Sequence, residues 1–157
     1  MALASFDSDT VCFVANGENM AEETFSKAER DAMKARAKEL REKKKLDPEV
    51  QIQMAIAEMS EPDQVLAKKI HSLVSEHAPH LKPKTWYGMP AYANKAGKPV
   101  IFFQAASKFD SRLATLGVTE HAEIDEGKFW PTSWSLTEID SSVEKQIAEL
   151  IKRLKVD

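Results

Sequence analysis

The sequence is poor in the residues that form disulfides, zinc sites and phosphate-binding loops. Its 157 residues include one cysteine, Cys12, so neither an internal disulfide nor a zinc site of several thiolates can form. The five glycines form neither a G-x-x-x-x-G-K-[ST] loop nor a G-x-G-x-x-G turn, which excludes nucleotide binding by those two routes.

Motifs of common hydrolases are also missing. The sequence has no H-E-x-x-H and no G-x-S-x-G motif, and Ser107 and Ser111 have no histidine nearby along the chain. We therefore expect a protein that is not an enzyme.

Long apolar runs and an excess of basic residues are absent as well. No stretch approaches the roughly 20 apolar residues that cross a bilayer, and Asp7 and Asp9 stand where a signal peptide needs an apolar segment. The net charge of -3 argues against a dedicated nucleic-acid binder, which needs a basic surface to displace counterions. We expect a cytoplasmic protein with no membrane or nucleic-acid partner.

The charge distribution divides the chain near residue 25. Residues 1–25 carry five acidic side chains and no lysine or arginine, whereas residues 26–45 carry nine basic and four acidic ones. We expect residues 1–25 to be a disordered or optional extension, residues 26–46 to form a charged helix, and residues 47–157 to form one domain. The run REKKK at residues 41–45 could contact an anionic partner, but a solvated helix end is the favoured interpretation.

Four helices are predicted from their start signals. Ser26 and Glu29 have the spacing of a capping box, and Asp47 precedes a proline that suits the first turn of a second helix. Ser60 and Asp140 begin the third and fourth helices. The residues expected to face the core of the last three helices are Ile52, Ala55, Ile56, Met59, Leu66, Ile70, Leu73, Val74, His77, Val143, Ile147, Leu150, Ile151 and Leu154.

Between the third and fourth helices, residues 83–136 have the pattern of β-structure. The segments KTWYG and PAYAN are expected to be separated by a bend or edge at Met89-Pro90, and residues 94–98 to form a hairpin turn. PVIFFQA is typical of a central strand, followed by strands in RLATLGV and KFWPTSWSL. This order predicts an α+β fold, in which a small antiparallel sheet of about four to six strands packs against α-helices, with an extra charged N-terminal helix.

Three blocks in this region resemble the YdhG-like family of small bacterial domains. They are WYGMPAY at residues 86–92, GKPVIFF at residues 97–103 and DEGKFWPT at residues 125–132, and the similarity runs from about residue 57 to 155. Residues 24–45 also resemble an extension seen in actinobacterial members. The resemblance implies an α+β domain without an assigned activity in most members. One branch is described as a frataxin-like iron chaperone for iron–sulfur and haem assembly.

The aromatic and basic residues of this region could line a ligand pocket. Pockets favour aromatic walls with a few polar groups, and a basic rim could receive an anion. The alternative is that the rings build the core of the sheet, which is favoured for Phe102 and Phe103. The predicted ligand-binding residues are Trp86, Tyr87, Met89, Tyr92, Lys108, Arg112 and Trp130.

An acidic run, TEHAEIDEG, offers ligands for a metal. Carboxylates are hard ligands that could bind iron weakly at a surface, as the frataxin-like description implies. An ordinary solvated turn is the favoured interpretation, because the spacing fits no EF-hand. The predicted metal ligands are Glu120, Glu123, Asp125 and Glu126.

Three functions stay open from the sequence. The first is a non-enzymatic binding domain of the YdhG-like type, with weakly bound iron as the one cofactor considered. The second is a binder of a small molecule or peptide at an aromatic pocket with a basic rim. The third is a protein-interaction module that uses the charged helix.

Overall fold

The computed structural model describes residues 26–154, and the chain divides into two compact units, residues 1–38 and 39–157. The predicted extension at residues 1–25, with Cys12, lies outside the described residues. In the first unit, the described residues are the cap and first turns of helix α1 (Lys27–Lys43), none of whose residues is buried. The predicted capping box is confirmed, because Ser26 N–H donates to Glu29 Oε2 (2.7 Å) and Glu29 N–H donates to Ser26 Oγ (3.2 Å).

The described part of the second unit, up to residue 154, contains the sheet and three further helices. The helices are α2 (Pro48–Ala57), α3 (Glu61–His77) and α4 (Ser141–Arg153), and the strands are β1 (Lys82–Trp86), β2 (Met89–Ala93), β3 (Pro99–Gln104), β4 (Ala114–Val118) and β5 (Ser133–Leu136). A 3-10 turn spans Glu120–Ala122. No helix within residues 26–154 combines the length and apolar character that a bilayer crossing requires.

The five strands form one antiparallel sheet in the order β1-β2-β3-β4-β5. Each strand pairs with its sequence neighbour, as in the register Tyr92↔Ile101 between β2 and β3 and Leu116↔Trp134 between β4 and β5. The predicted α+β class, with an antiparallel sheet, helices and a charged N-terminal helix, is confirmed.

One face of the sheet builds the core with the helices. Tyr92, Ile101, Phe103 and Leu116 belong to one buried cluster with apolar side chains of α2, α3 and α4. Enclosing one large apolar side chain contributes about 1.5–3 kcal/mol, so this shared interior is the main source of stability. The predicted inward faces of the helices are largely correct, although His77, Val143 and Leu150 are only partly buried.

The second face of the sheet carries Trp86, Phe102 and Gly117. The Phe102 ring lies over Gly117, where an added Cβ atom would come within 2.3 Å of Phe102 Cζ. The Trp86 ring meets the Phe102 ring edge to face at 5.2 Å. Gly117 is therefore required because the aromatic ring occupies the space that any other side chain would need.

The first hairpin turn differs from the predicted position. Tyr87 (φ 49°) and Gly88 (φ 74°) both have positive φ, which is the geometry of a type I′ turn between Trp86 and Met89. Met89 and Pro90 lie inside β2, so the predicted bend between them is wrong. Pro90 is tolerated because the pairing of β2 with β3 begins one residue later, which leaves Pro90 paired with β1 alone. The predicted turn at residues 94–98 is confirmed by Asn94 N–H, which donates to the Lys98 carbonyl (3.0 Å).

The start of α3 also differs from a simple cap. The Ser60 hydroxyl makes no capping bond to the backbone, and it donates instead to Asp63 Oδ2 (3.0 Å). The Asp63 carboxylate reaches the loop after β3, where it accepts the N–H groups of Ala106 (3.3 Å) and Ser107 (3.0 Å). The hydrogen bonds of Asp63 thus connect the start of α3 to the loop that follows β3.

Candidate functional site

A cavity of about 390 Å³ lies between the last turns of α1, helix α2 and the β1–β2 turn. Every residue of its wall belongs to the unit formed by residues 39–157. We call it the lysine pocket. Its lining residues are Leu40, Lys43, Lys44, Gln51, Met54, Ala55, Glu58, Thr85, Tyr87, Gly88 and Lys108.

The wall of the lysine pocket is rich in positive charge. Lys43 Nζ lies 3.1 Å from Glu58 Oε1, and Lys108 Nζ lies 3.8 Å from Glu58 Oε2. Among the described residues of the wall, Lys44 is the third lysine and Glu58 is the one carboxylate. The lining side chains therefore carry more positive than negative charge, which favours the binding of an anionic ligand.

The β1–β2 turn holds the aromatic part of the wall in place. Lys108 Nζ donates to the Gly88 carbonyl (2.9 Å), which ties the turn to the segment after β3. Tyr87 has 80% of its surface exposed, and its ring meets the Trp86 ring at 5.2 Å. A bulky residue rarely adopts positive φ, so the backbone is strained at the residue that offers its ring to solvent.

Of the predicted ligand-binding residues, the structure brings Tyr87 and Lys108 together in this wall. Trp86 points to the second face of the sheet, together with its register partner Met89, which is buried. Arg112 is exposed in the segment between β3 and β4. The predicted set is therefore divided between different surfaces.

The other two aromatic residues belong to the core side. Tyr92 is 2% exposed and lies among the core residues, and Trp130 packs against the same cluster. Since β2 alternates its side chains between the two faces, Tyr92 and the Trp86 partner Met89 cannot share a face. The geometry does not place Trp86, Tyr92 and Trp130 around one cavity.

Tyr92 instead joins a chain of polar groups that the sequence did not reveal. Its hydroxyl lies 3.0 Å from His71 Nδ1, and His71 Nε2 lies 2.9 Å from Glu49 Oε1. With the proton on Nε2, the imidazole donates to Glu49 and accepts from the Tyr92 hydroxyl. Burial raises the pKa of Tyr92 well above its ordinary value, and the charge of Glu49 raises it further. This series of polar groups gives the buried Tyr92 hydroxyl a hydrogen-bond partner that it would otherwise lack.

The acidic turn keeps its carboxylates apart. Glu126 Oε2 accepts a hydrogen bond from Arg153 (2.9 Å), and Glu120 Oε1 lies 3.7 Å from His121 Nε2. Glu123 and Asp125 are exposed. Within residues 26–154, no three His, Cys, Asp or Glu side chains are grouped so that they could hold a metal ion.

Sequence reasoning missed several residues of the lysine pocket. Lys43 and Lys44 belong to the REKKK run, for which the sequence favours a solvated helix end, and Glu58 follows the last turn of α2. The one signal in the sequence was the unusual density of lysine in that run. No protein-family model, curated protein or solved structure matches this chain, so the resemblance to the YdhG-like family stays a prediction.

Proposed function

We propose that this chain is a non-catalytic binding domain that takes a small molecule with an anionic group into the lysine pocket. The observation that carries the proposal is the position of Glu58, whose two carboxylate oxygens face Lys43 and Lys108. A phosphate or carboxylate group of a ligand presents oxygens of the same kind. It can replace Glu58 between the two ammonium groups.

The exchange of Glu58 for a ligand costs little. The side chains of Glu58 and Lys43 are about half exposed, at 53% and 50%. Ion pairs of such exposure contribute only about 0–1 kcal/mol each. A ligand with two negative charges matches the excess of lysine better than one carboxylate does, and this favours its binding.

The remaining wall suits an aromatic or apolar body attached to that anionic group. Tyr87 offers a ring, and Met54, Ala55 and Leu40 offer apolar surface. The volume falls within the range of about 300–1,000 Å³ that is usual for small-molecule sites.

Calorimetric titration with phenyl phosphate tests the proposal, with phenol as the neutral control. We expect saturable heat with phenyl phosphate and none with phenol. Lys43→Met and Lys108→Met should each weaken binding about tenfold, because each removes one charge-assisted contact. The matched control Lys145→Met changes an exposed lysine of α4 and should leave binding unchanged.

The substitution Glu58→Gln should have the opposite effect on the affinity for phenyl phosphate. Removal of the competing carboxylate should strengthen phenyl phosphate binding while the cavity keeps its shape. Two results would reject the lysine pocket as the site. The first is an equal affinity of the Glu58→Gln variant and the unchanged protein for phenyl phosphate. The second is a loss of affinity in Lys145→Met as large as the loss in Lys43→Met and Lys108→Met.

We also propose that the chain is a YdhG-like domain. The support is the order of the three sequence blocks. The first forms the β1–β2 turn and most of β2, and the second forms the turn into β3 and most of that strand. The third precedes β5.

A further inference from the structure

A second cavity, of about 410 Å³, lies between the edge strand β5 and helix α4, away from the residues of the lysine pocket. We call it the β5 groove. Its floor is apolar, and its rim carries Glu138, Glu149 and Arg153. The apolar lining residues are Leu116, Pro131, Trp134, Leu136, Val143, Ile147 and Leu150.

The backbone of β5 presents free hydrogen-bonding groups beside this groove. Val118 N–H donates to the Thr132 carbonyl (2.8 Å), which fixes the alternation of bonded and non-bonded pairs between β4 and β5. In that alternation Trp134 bonds to β4, whereas the N–H and C=O groups of Ser133 and Ser135 point away from β4. Within residues 26–154, β5 has no strand on that side.

The two edges of the sheet are built differently. The other edge strand, β1, has the sequence KPKTW, and its lysines and proline hinder the addition of another strand. Strand β5 has the sequence SWSL, which includes neither a charge nor a proline. One edge of the sheet is thus protected and the other is open.

The rim of the groove selects the charge of a partner. Arg153 is paired with Glu126 (2.9 Å), whereas Glu138 and Glu149 form no ion pair among the described residues. Both carboxylates are exposed, so they can attract a cation.

We propose that the β5 groove binds an extended peptide segment of another protein, which adds to the sheet beside β5. Its backbone bonds to the free groups of Ser133 and Ser135, as in known cases of strand addition. Alternate apolar side chains enter the groove over Trp134 and Leu150. Lysine or arginine residues at the ends of the segment lie beside Glu138 and Glu149.

Fluorescence anisotropy of a labelled synthetic peptide, KTVTVTK, added to the full chain tests this inference. We expect saturable binding by KTVTVTK. A peptide with a central proline, KTVPVTK, should bind about tenfold more weakly or worse, because it cannot continue the hydrogen-bond ladder.

Two substitutions at Ser135 distinguish the contribution of its backbone to peptide binding from that of its side chain. Ser135→Pro removes the outward N–H and leaves the bonds to β4 in place, so it should weaken KTVTVTK binding about tenfold. Ser135→Ala keeps the N–H and should bind as the unchanged protein does. The thermal midpoint should stay unchanged in both variants, which is the expected result if the fold is intact.

Three results would overturn the inference. The first is no saturable binding of KTVTVTK, and the second is equal binding by Ser135→Pro and Ser135→Ala. The third is a dimer in sedimentation that Ser135→Pro dissolves, because a second copy would then occupy the edge. None of these results bears on the lysine pocket, whose readout is calorimetry with phenyl phosphate.

Discussion

The hydroxyl of Ser107 donates a hydrogen bond of 2.5 Å to the carboxylate of Asp63, which is 4% exposed. Four donors from two separate segments converge on this one carboxylate, because Ser60 and the backbone N–H groups of Ala106 and Ser107 contribute the others. The contact joins the start of α3 to the segment after β3, which runs on to Lys108 of the lysine pocket.

Removal of the charge at Asp63 should destabilise the fold. We expect Asp63→Asn to lower the free energy of unfolding by about 2–3 kcal/mol, since charged hydrogen bonds are lost and a polar group stays buried. Ser107→Ala, which leaves the other three donors, should cost about 1 kcal/mol. Urea denaturation measures both, and equal costs would contradict the assignment of Asp63 as the centre of the cluster.

The same carboxylate predicts an acid-sensitive fold. Burial by itself raises the pKa of Asp63, but hydrogen bonds from Ser107, Ser60 and Ala106 outweigh it, and the pKa lies below its ordinary value of 3.8. A lowered pKa contributes stability above pH 3.8 that is lost as the pH falls through the folded-state value. The free energy of unfolding of Asp63→Asn should therefore vary less than that of the unchanged protein below pH 4, by about the contribution of one carboxyl group.

Tyr92 predicts the behaviour at high pH. Burial raises its pKa, with Glu49 as the second cause, so the folded state holds the phenol proton more tightly than the unfolded state does. Its contribution to stability is complete below the ordinary pKa of 10.0 and is lost as the pH rises above it. Tyr92→Phe should remove this loss, whereas Tyr87→Phe, at the exposed tyrosine, should retain it. Alkaline denaturation curves of the two variants measure the difference.

Substitution of Tyr87 should raise the stability of the protein and lower its affinity for phenyl phosphate. Tyr87→Asn places the preferred Asn-Gly pair in the type I′ turn and relieves a strained backbone, so we expect the protein to gain about 1 kcal/mol. The same change removes the aromatic ring from the lysine pocket and should weaken phenyl phosphate binding. A variant that gains stability and keeps full affinity would show that the ring takes no part in binding.

The acidic turn provides the test of iron binding, which the family resemblance implies. Exposed carboxylates that are not grouped should bind ferrous iron only weakly, because few of them can reach one ion. Arg153→Ala releases Glu126 and should strengthen that binding. Replacement of Glu123, Asp125 and Glu126 by alanine should abolish the heat of an anaerobic calorimetric titration, and heat that persists would place the iron elsewhere.

The helices could be predicted because their signals are local. The side chains of Asp47 and Asp140 accept backbone N–H groups at the starts of α2 and α4, as their sequence context indicates. The strands followed from apolar runs between turn residues, and Gly97 marked the second hairpin correctly. Tyr87 gave no such signal, because an aromatic residue is unusual at the first position of a type I′ turn.

The candidate site could not be predicted as a whole because its parts are far apart in the sequence. Lys43, Glu58 and Lys108 meet only when α2 packs on the first hairpin. Sequence proximity groups the aromatic residues, whereas alternation along β2 places Tyr92 and Met89 on opposite faces of the sheet. A register error of one residue would have reversed both assignments.

The strictly sequential strand order has a consequence for how the molecule folds. Every ladder of the sheet joins strands that are neighbours in the sequence, with connections that run from residues 87–88 between β1 and β2 to residues 119–132 between β4 and β5. The sheet can therefore form from contacts that are comparatively near in sequence. The packing of α3 against α4 is different, because α3 precedes all five strands in the sequence and α4 follows them. We expect the meander to condense early and the association of these two helices to complete the native state.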